Sequence, residues 1–329
     1  MVFCLFCSIK FYIVKGEDGI MINSVLGEID SNNLGVTLMH EHITWDRSGA
    51  EGINNYSIEE VVNTMLPYLL DLKKSGCDTF VDATTFGSGR DIKILIEFSK
   101  RTGLNILTNI GAWDGSNVEQ KFIPNILKGK NIEEIVEIWT AEFLNGIDGT
   151  NVKPAYIKIA LGDTGVITEF QEKILRAAAR TSIKTKLPIQ CHTIPANSAV
   201  KAVEIIEEEK LPLNKFIWVH GDVEQNSEII MKLAKKGIWI EFDYLGRCKE
   251  FGWHLEALKN IIENDLLDRL LLSQDAGTFY FGEKNDRENI LPYDRIFKEF
   301  IPYCLDNGIS YEVFNKLLTE NPIKVLNAD

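Results

Sequence analysis

The sequence predicts an α/β fold of the (β/α)8 TIM barrel type, and three observations support this prediction. From Leu34 onward, eight short apolar runs alternate with longer segments of helical periodicity, and eight strand–helix units over roughly 250–300 residues are typical of this barrel. Most of the runs are continuously apolar, as expected for parallel strands that are covered on both faces. No Gly-rich phosphate motif follows the first run, which argues against an open doubly wound sheet.

The elements follow from local patterns in chain order. The predicted strands are residues 34–39, 78–84, 104–110, 155–161, 188–191, 215–219, 238–243 and 269–273. Three helix ends place basic residues in the last turn and a glycine just after it, at Gly76, Gly103 and Gly237; cations favour the negative end of the helix dipole and glycine adopts the left-handed cap. Ser57 and Thr168 have the spacing of a capping box and predict helix starts.

The chain is predicted to hold one catalytic domain behind a short extension. Residues 1–20 contain an apolar run with no charged n-region and no small-residue cleavage site, so they do not resemble a signal peptide. Cys4 and Cys7 have CxxC spacing, but no second pair completes a metal site. Residues 21–329 form the predicted barrel domain. In it, residues 281–289 are predicted to be a long loop, and residues 291–303 and 311–318 closing helices.

Composition excludes several classes of protein. Lys and Arg total 35 against 48 Asp and Glu, a formal net charge of −13 with no basic run, which argues against binding to nucleic acid or to an anionic membrane. No stretch approaches the roughly 20 apolar residues of a membrane span. The 6 cysteines are scattered and form no disulfide framework, as expected in a reducing compartment such as the cytoplasm.

Histidines are concentrated at the ends of predicted strands. Those at or just after a strand end are His40, His42, His192 and His220, and Asp275 follows the last strand in the same way. Barrel active sites are built at the carboxyl ends of the strands, so the fold would bring these side chains to one mouth. Imidazole and carboxylate are common zinc ligands, and residues two apart in a strand point the same way. The remaining His254 lies in a helical segment and is predicted to be a surface or packing residue.

Lys158 lies within an apolar predicted strand, where an unpaired ammonium would be costly. Two explanations remain open on the residues alone. The lysine could pair with a buried carboxylate on a neighbouring strand, for which Glu241 and Asp243 are candidates. Alternatively it could be chemically changed, because a plain ammonium beside divalent ions would be repelled.

Together these motifs resemble the phosphotriesterase family of the amidohydrolase superfamily. The resemblance rests on GVTLMHEH at 35–42, IKI at 157–159, QCHT at 190–193, VHGD at 219–222 and LSQD at 272–275. It extends from about Met21 to the C-terminus and includes every candidate ligand in order.

The resemblance implies a (β/α)8 barrel with two divalent metal ions, usually zinc and sometimes iron, manganese or cobalt. In that pattern His40, His42 and Asp275 hold the more buried ion, whereas His192 and His220 hold the more exposed one. CO2 carboxylates Lys158, and the resulting carbamate bridges both ions. A metal-bridging hydroxide then attacks the substrate, and Asp275 passes its proton to the leaving group. A homodimer is also implied.

Departures from the family pattern narrow the expected substrate. Efficient phosphotriesterases carry a histidine after the aspartate that ends the seventh strand, but Tyr244 follows Asp243 here. Relatives without that histidine are commonly lactonases. Arg247 and Lys249 could bind a substrate phosphate, although they could equally be solvated loop charges. Trp113 resembles a pocket aromatic of the family and could equally be a packing residue.

The leading hypothesis is therefore a binuclear metal-dependent hydrolase, a lactonase acting on sugar lactones that include phosphorylated ones. The alternative is a phosphotriester or phosphoester hydrolase with the same metal site. A non-catalytic binding protein on a barrel scaffold is a remote third hypothesis, because a decayed enzyme usually loses ligands and this chain keeps all of its candidates.

Overall fold

The barrel prediction is confirmed by the computed structural model, which describes residues 19–52, 56–114, 120–286 and 289–327. An antiparallel hairpin comes first, formed by β1 (Met21–Ser24) and β2 (Gly27–Asp30). The barrel strands are β3 (Thr37–Trp45), β4 (Thr79–Asp82), β5 (Asn105–Leu107), β6 (Asn109–Ala112), β7 (Tyr156–Ala160), β8 (Ile189–His192), β9 (Phe216–Val219), β10 (Trp239–Phe242), β11 (Leu270–Leu272) and β12 (Gly277–Tyr280). Residues 1–18 of the predicted extension, with Cys4 and Cys7, lie outside the described residues.

All barrel strands pair in parallel. One sheet has the order β11-β10-β9-β8-β7-β6 and the other β12-β3-β4-β5. Strands β5 and β6 are two parts of one position in the barrel, separated by Thr108, and β11 and β12 share another position in the same way. In the described part of the chain, the ten segments therefore make eight strand positions. Because β11 pairs with β10 and β12 pairs with β3, the position that they share joins the two sheets.

Helices follow the strands as the periodicity predicts. They are α1 (Ile58–Lys74), α2 (Ile92–Thr102), α3 (Ile132–Asn145), α4 (Glu169–Thr185), α5 (Ala196–Glu208), α6 (Ser227–Lys236), α7 (Gly252–Glu263), α8 (Ile301–Asp306), α9 (Tyr311–Asn315) and α10 (Asn321–Leu326). Two π-helical stretches, Ile296–Phe300 and Lys316–Glu320, precede α8 and α10. No helix in the described part of the chain has both the length and the apolar character needed to cross a bilayer.

The helix-end patterns formed mainly as predicted. Gly76, Gly103 and Gly237 have φ of +103°, +70° and +107°, which is the left-handed region that glycine adopts without strain. Thr168 and Gln171 form the reciprocal hydrogen bonds of a capping box, at 3.2 and 3.0 Å. The box predicted at Ser57 was wrong: α1 does begin at Ile58, but within the described residues the Ser57 side chain forms no cap hydrogen bond.

Two details near the carboxyl terminus differ from the prediction. Strand β12 was missed, and the helix expected from residue 291 has its first helical stretch at Ile296. Strand β12 forms by pairing with β3, and the late helix start follows from a contact with β12, because the Leu291 carbonyl accepts a hydrogen bond from the Gly277 N–H at 3.0 Å. Leu291 also precedes a proline and therefore favours extended backbone. The chain is thus held beside β12 before the helix begins.

The barrel interior is apolar at its floor and polar at its mouth. Alternation along the strands points one set of side chains to the helices and the other inward. The inward set includes a compact buried cluster of Met39, Val81, Leu107, Tyr156, Ile217, Trp239 and Leu271. Nearer the carboxyl ends of the strands, Lys158 and Glu241 are buried at 1% and 0% exposure. The floor therefore supports a layer of titratable groups from below.

Gly111 marks a close approach of two backbones beside this layer. It has φ of +127°, and a Cβ there would overlap the carbonyl oxygen of Lys158 on the adjacent strand. We expect Gly111→Ala to lower the Tm at least twice as much as Gly237→Ala. Gly237 has a similar φ but no heavy atom within 4 Å of the added Cβ, so its substitution should cost only about 1 kcal/mol of backbone strain. Calorimetry on both variants measures the difference, and equal Tm losses would contradict the steric argument.

Candidate metal centre

The six predicted ligands lie around one cavity at the carboxyl ends of the strands. They are His40 and His42 within β3, Lys158 within β7, His192 at the end of β8, His220 just after β9, and Asp275 between β11 and β12. All six line the same cavity of about 200 Å³. Strand β3 continues past its predicted end to Trp45, so both of its histidines are held by strand backbone.

The first pair of imidazoles presents two lone pairs to one point. The Nε2 atoms of His40 and His42 are 3.2 Å apart. His40 Nδ1 lies 3.0 Å from an Asp243 carboxylate oxygen, and the ring proton is therefore assigned to this nitrogen. His42 Nδ1 lies 2.9 Å from the Thr84 hydroxyl, whose own proton is donated to the Thr44 carbonyl. Both Nε2 atoms are therefore unprotonated acceptors, and a cation between them would relieve their repulsion.

The second pair repeats this arrangement. His220 Nε2 is 2.8 Å from His192 Nδ1. The far nitrogen of each ring faces a carboxylate: His220 Nδ1 is 2.7 Å from Asp243, and His192 Nε2 is 3.2 Å from Asp163. We assign the ring protons to the nitrogens that face the carboxylates. Each of the two nitrogens that face each other then has a free lone pair. The cavity therefore has two points at which a cation could be held.

Burial keeps all four imidazoles in the form that binds metal. It lowers the pKa of His40 and His42, and it lowers the pKa of His192 and His220 to about 4. Neutral imidazole is the ligand form, so no ring proton has to be displaced at neutral pH.

Asp275 and Lys158 complete the donor set from opposite sides of the barrel. Asp275 Oδ1 is 3.3 Å from His42 Nε2 and 3.7 Å from His40 Nε2, while its Oδ2 accepts a hydrogen bond from Arg247 Nε at 2.9 Å. Lys158 Nζ is 3.4 Å from His40 Nε2. Four imidazoles and one carboxylate fit divalent ions of the zinc type, and the lysine fits once it carries an anionic group.

Lys158 has no ion-paired carboxylate among the described residues. Neither Glu241 nor Asp243, the partners considered from the sequence, forms a salt bridge with it, although both act on it electrostatically. Burial is the largest influence on this group and lowers the pKa of the Lys158 amine. Both carboxylate oxygens of Glu241 are buried without a hydrogen-bond partner in the described part of the chain. Of the two explanations left open by the sequence, simple pairing is therefore the weaker.

Asp243 links the two imidazole pairs. Its two oxygens face the Nδ1 atoms of His40 and His220 at 3.0 and 2.7 Å, and it is fully buried. These three residues could themselves be viewed as a metal cluster. When the ring protons are assigned to the nitrogens that face Asp243, however, this carboxylate orients both rings and the other two nitrogens are left for an ion. The sequence indicated Asp243 as a possible partner of Lys158 and as the end of the seventh strand, but not as a group that orients histidines. Its position at a strand end, like that of the ligands, was the available signal.

The cavity wall contains some of the predicted pocket residues and others that were not predicted. Trp113 and Arg247 line the cavity, whereas Tyr244 and Lys249 are not among its lining residues. The unpredicted lining residues are Trp45, Arg47, Thr278 and Tyr280.

Aromatic rings and a second arginine form this wall. Trp113 packs edge-on against His192 and Trp45, with ring centroids 5.7 and 5.2 Å apart. Arg47 lies 4.1 Å from the Tyr280 ring centroid and donates a hydrogen bond to Glu283 at 3.0 Å. The wall therefore offers apolar faces together with two guanidinium groups.

His254 is not a surface residue, which corrects that part of the prediction. It is 1% exposed on α7, and its ring packs against Phe242 and Phe300. Its Nε2 lies 2.9 Å from Asp222, which also accepts the backbone N–H of Tyr244 at 2.9 Å. His254 therefore supports the turn after β10 and lies outside the cavity, because α7 turns its apolar face to the barrel.

Comparison with known proteins gives one consistent result. The model of the phosphotriesterase family matches residues 20–326. An aryldialkylphosphatase of Saccharolobus solfataricus is 28% identical, over 90% of this chain and 96% of its own length. An N-acetyltaurine hydrolase of Danio rerio is 25% identical over 92% and 96%. A phosphotriesterase homology protein of Escherichia coli is 25% identical over 88% and 96%.

Proposed function

The chain belongs to the phosphotriesterase family, and on that premise we propose that it is a binuclear metal hydrolase that opens lactones. More coarsely, it is an ester or amide hydrolase, as its relatives are. The observation that carries the proposal is that imidazole nitrogens face each other in two pairs, 3.2 Å apart in the first and 2.8 Å apart in the second. Both pairs lie in the cavity that Asp275 and Lys158 also line. The catalytic domain is proposed to be residues 21–329.

The proposed ligands divide as the family resemblance implies. His40, His42 and Asp275 would hold the more buried ion, His192 and His220 the more exposed one, and a carbamate on Lys158 would bridge them. Zinc is the proposed metal, since imidazole and carboxylate are its usual ligands. Two such ions would lower the pKa of a bound water and polarise the oxygen of the bond under attack.

The side chain of Asp275 would then transfer the proton. Asp275 lies beside both imidazoles of the first pair, so it is placed to accept a proton from the attacking water and to return it to the leaving oxygen. In a lactone that leaving oxygen stays tethered to the product near the site. No outward relay is then needed, which agrees with a tyrosine, rather than a histidine, following Asp243.

The cavity favours a compact, anionic substrate. Its volume of about 200 Å³ is below the roughly 300–1,000 Å³ of pockets for drug-sized ligands, which favours a single sugar ring over a long acyl chain. Arg47 and Arg247 both line it, in a chain of net charge −13. A guanidinium binds phosphate through paired N–H donors, so a phosphorylated sugar lactone fits this wall.

The second candidate is phosphotriester hydrolysis, which is favoured by the similarity to the aryldialkylphosphatase. A side-by-side assay separates the two: sugar lactones, phosphorylated sugar lactones, homoserine lactones, N-acetyltaurine and paraoxon, with zinc-loaded and metal-stripped protein. We expect the highest kcat/KM for a phosphorylated sugar lactone and no turnover without metal. A paraoxon kcat/KM far above that of every lactone would reverse the order of the two candidates.

Arg247→Met tests the phosphate contact. Arg247 also touches Asp275, so the variant should slow every substrate somewhat. Its kcat/KM for the phosphorylated lactone should fall by about 10-fold more than for the same lactone without phosphate, because a charged hydrogen bond is lost only with the former. Lys249→Met is the matched control: this exposed cation lies two residues further along, outside the cavity lining, and should change neither value. Equal losses for both lactones would remove Arg247 from phosphate binding.

A further inference from the structure

Glu41 lies between two of the proposed ligands along β3, yet its side chain contacts a distant loop. It is 0% exposed, and its carboxylate accepts the backbone N–H of Gln274 at 2.9 Å and of Ala276 at 2.8 Å, one on each oxygen. These two peptide groups flank Asp275 on both sides. A single carboxylate therefore spans the loop segment that carries the proposed proton acceptor.

The spanned segment has an unfavourable backbone conformation. Asp275 has φ of +48°, in the left-handed region that non-glycine residues seldom adopt and that aspartate adopts only as a single residue. Its own N–H donates to the His40 carbonyl at 3.2 Å. The surrounding hydrogen bonds must hold this conformation, and the two accepted by Glu41, at 2.9 and 2.8 Å, are shorter than the one accepted by the His40 carbonyl.

We infer that Glu41 is a positioning residue for Asp275: by bridging the peptides on either side, it holds the aspartate in the left-handed conformation and its carboxylate against His40 and His42. The kinetic part of this inference rests on the proposed hydrolase function, whereas the structural part does not. Glu41 contacts neither the cavity nor, through its carboxylate, any of the proposed ligand atoms.

Glu41→Gln tests the inference by changing one oxygen into an amide group. Whichever way the amide turns, an N–H donor faces one of the two peptide N–H groups. We expect amide hydrogen exchange in residues 273–277 to become at least 10-fold faster, with little change in the helices. We also expect kcat to fall by about 10- to 100-fold at nearly constant KM. In an Asp275→Asn background, Glu41→Gln should lower kcat by less than 3-fold, because both substitutions then act on the function of the same residue, Asp275.

Two controls distinguish positioning from general weakening of the fold. Asp148→Asn removes an ion pair with Arg90, whose described hydrogen bonds go to Asp148 and Asn109 and not to this loop, and it should lower the Tm without raising exchange in residues 273–277. Glu41→Asp keeps the carboxyl group but shortens its reach, so it should raise local exchange as Glu41→Gln does. It replaces Glu41→Gln as the test if that variant does not fold. Unchanged exchange at 273–277, or an equal kcat loss with and without Asp275, overturns the inference. Faster local exchange in a protein that hydrolyses none of the substrates supports the positioning and overturns only the proposed function.

Discussion

Lys158→Met is expected to lose bound metal and to lower kcat/KM by about 10³-fold or more, since the proposed reaction requires the ions. The reason is charge. Two divalent ions bring four positive charges, while four neutral imidazoles and Asp275 together supply one negative charge. A carbamate on Lys158 would add a second, whereas a methionine of similar length adds none. The lowered pKa of the buried amine favours the neutral form that reacts with CO2.

Two further variants make this result specific. Lys158→Glu should retain part of the metal and part of the activity, because it supplies a carboxylate without CO2. Lys215→Met is the matched control: this lysine is also buried, at 2% exposure, but its Nζ donates to the Lys186 carbonyl away from the cavity. Metal content is measured by mass spectrometry, and the carbamate by a 13C signal after growth with labelled bicarbonate. Two ions and ordinary turnover in Lys158→Met would rule out the carbamate.

The strands of the barrel could be predicted because their burial is visible in the sequence. Runs such as residues 155–161 are apolar apart from Lys158, since parallel strands are covered on both faces, and each of the eight runs overlaps an observed strand. Strand β12 could not be predicted in this way. It pairs with β3, more than 200 residues earlier in the chain, and its length depends on that pairing.

The ligand set could be predicted because strand ends meet at one mouth of a barrel, whereas the groups that orient the ligands could not. Asp163 and Thr84 acquire their roles only through ring nitrogens placed within 3.2 and 2.9 Å of them. Arg47 and Tyr280 come from opposite ends of the chain and meet only when β12 pairs with β3. Local sequence patterns do not contain such distances.

Substitution of Asp243 is the second change with a large expected effect on metal binding, because this one carboxylate determines which nitrogen is protonated in two imidazole rings. It accepts the Nδ1–H of His40 at 3.0 Å and of His220 at 2.7 Å, and it also faces the His220 backbone N–H at 3.2 Å. In Asp243→Asn the side chain keeps its shape but has a single acceptor oxygen. The amide N–H then faces the other imidazole, which must accept at Nδ1 and carry its proton on Nε2. That proton would point at the place where an ion is proposed to bind.

Asp243→Asn is therefore expected to weaken binding of one of the two ions by about 10- to 100-fold and to reduce kcat at least as much, while the other ion is held nearly as before. Stepwise titration of metal-stripped protein against a chelating dye resolves the two affinities. Asp222→Asn is the control, because Asp222 accepts the N–H of Asp243 and of Tyr244 but touches no proposed ligand ring; it should lower the Tm and leave both affinities within about 3-fold. If Asp243→Asn bound both ions as the unmodified protein does, the ring protons would not depend on this carboxylate, and the assignment of all four lone pairs would have to be abandoned.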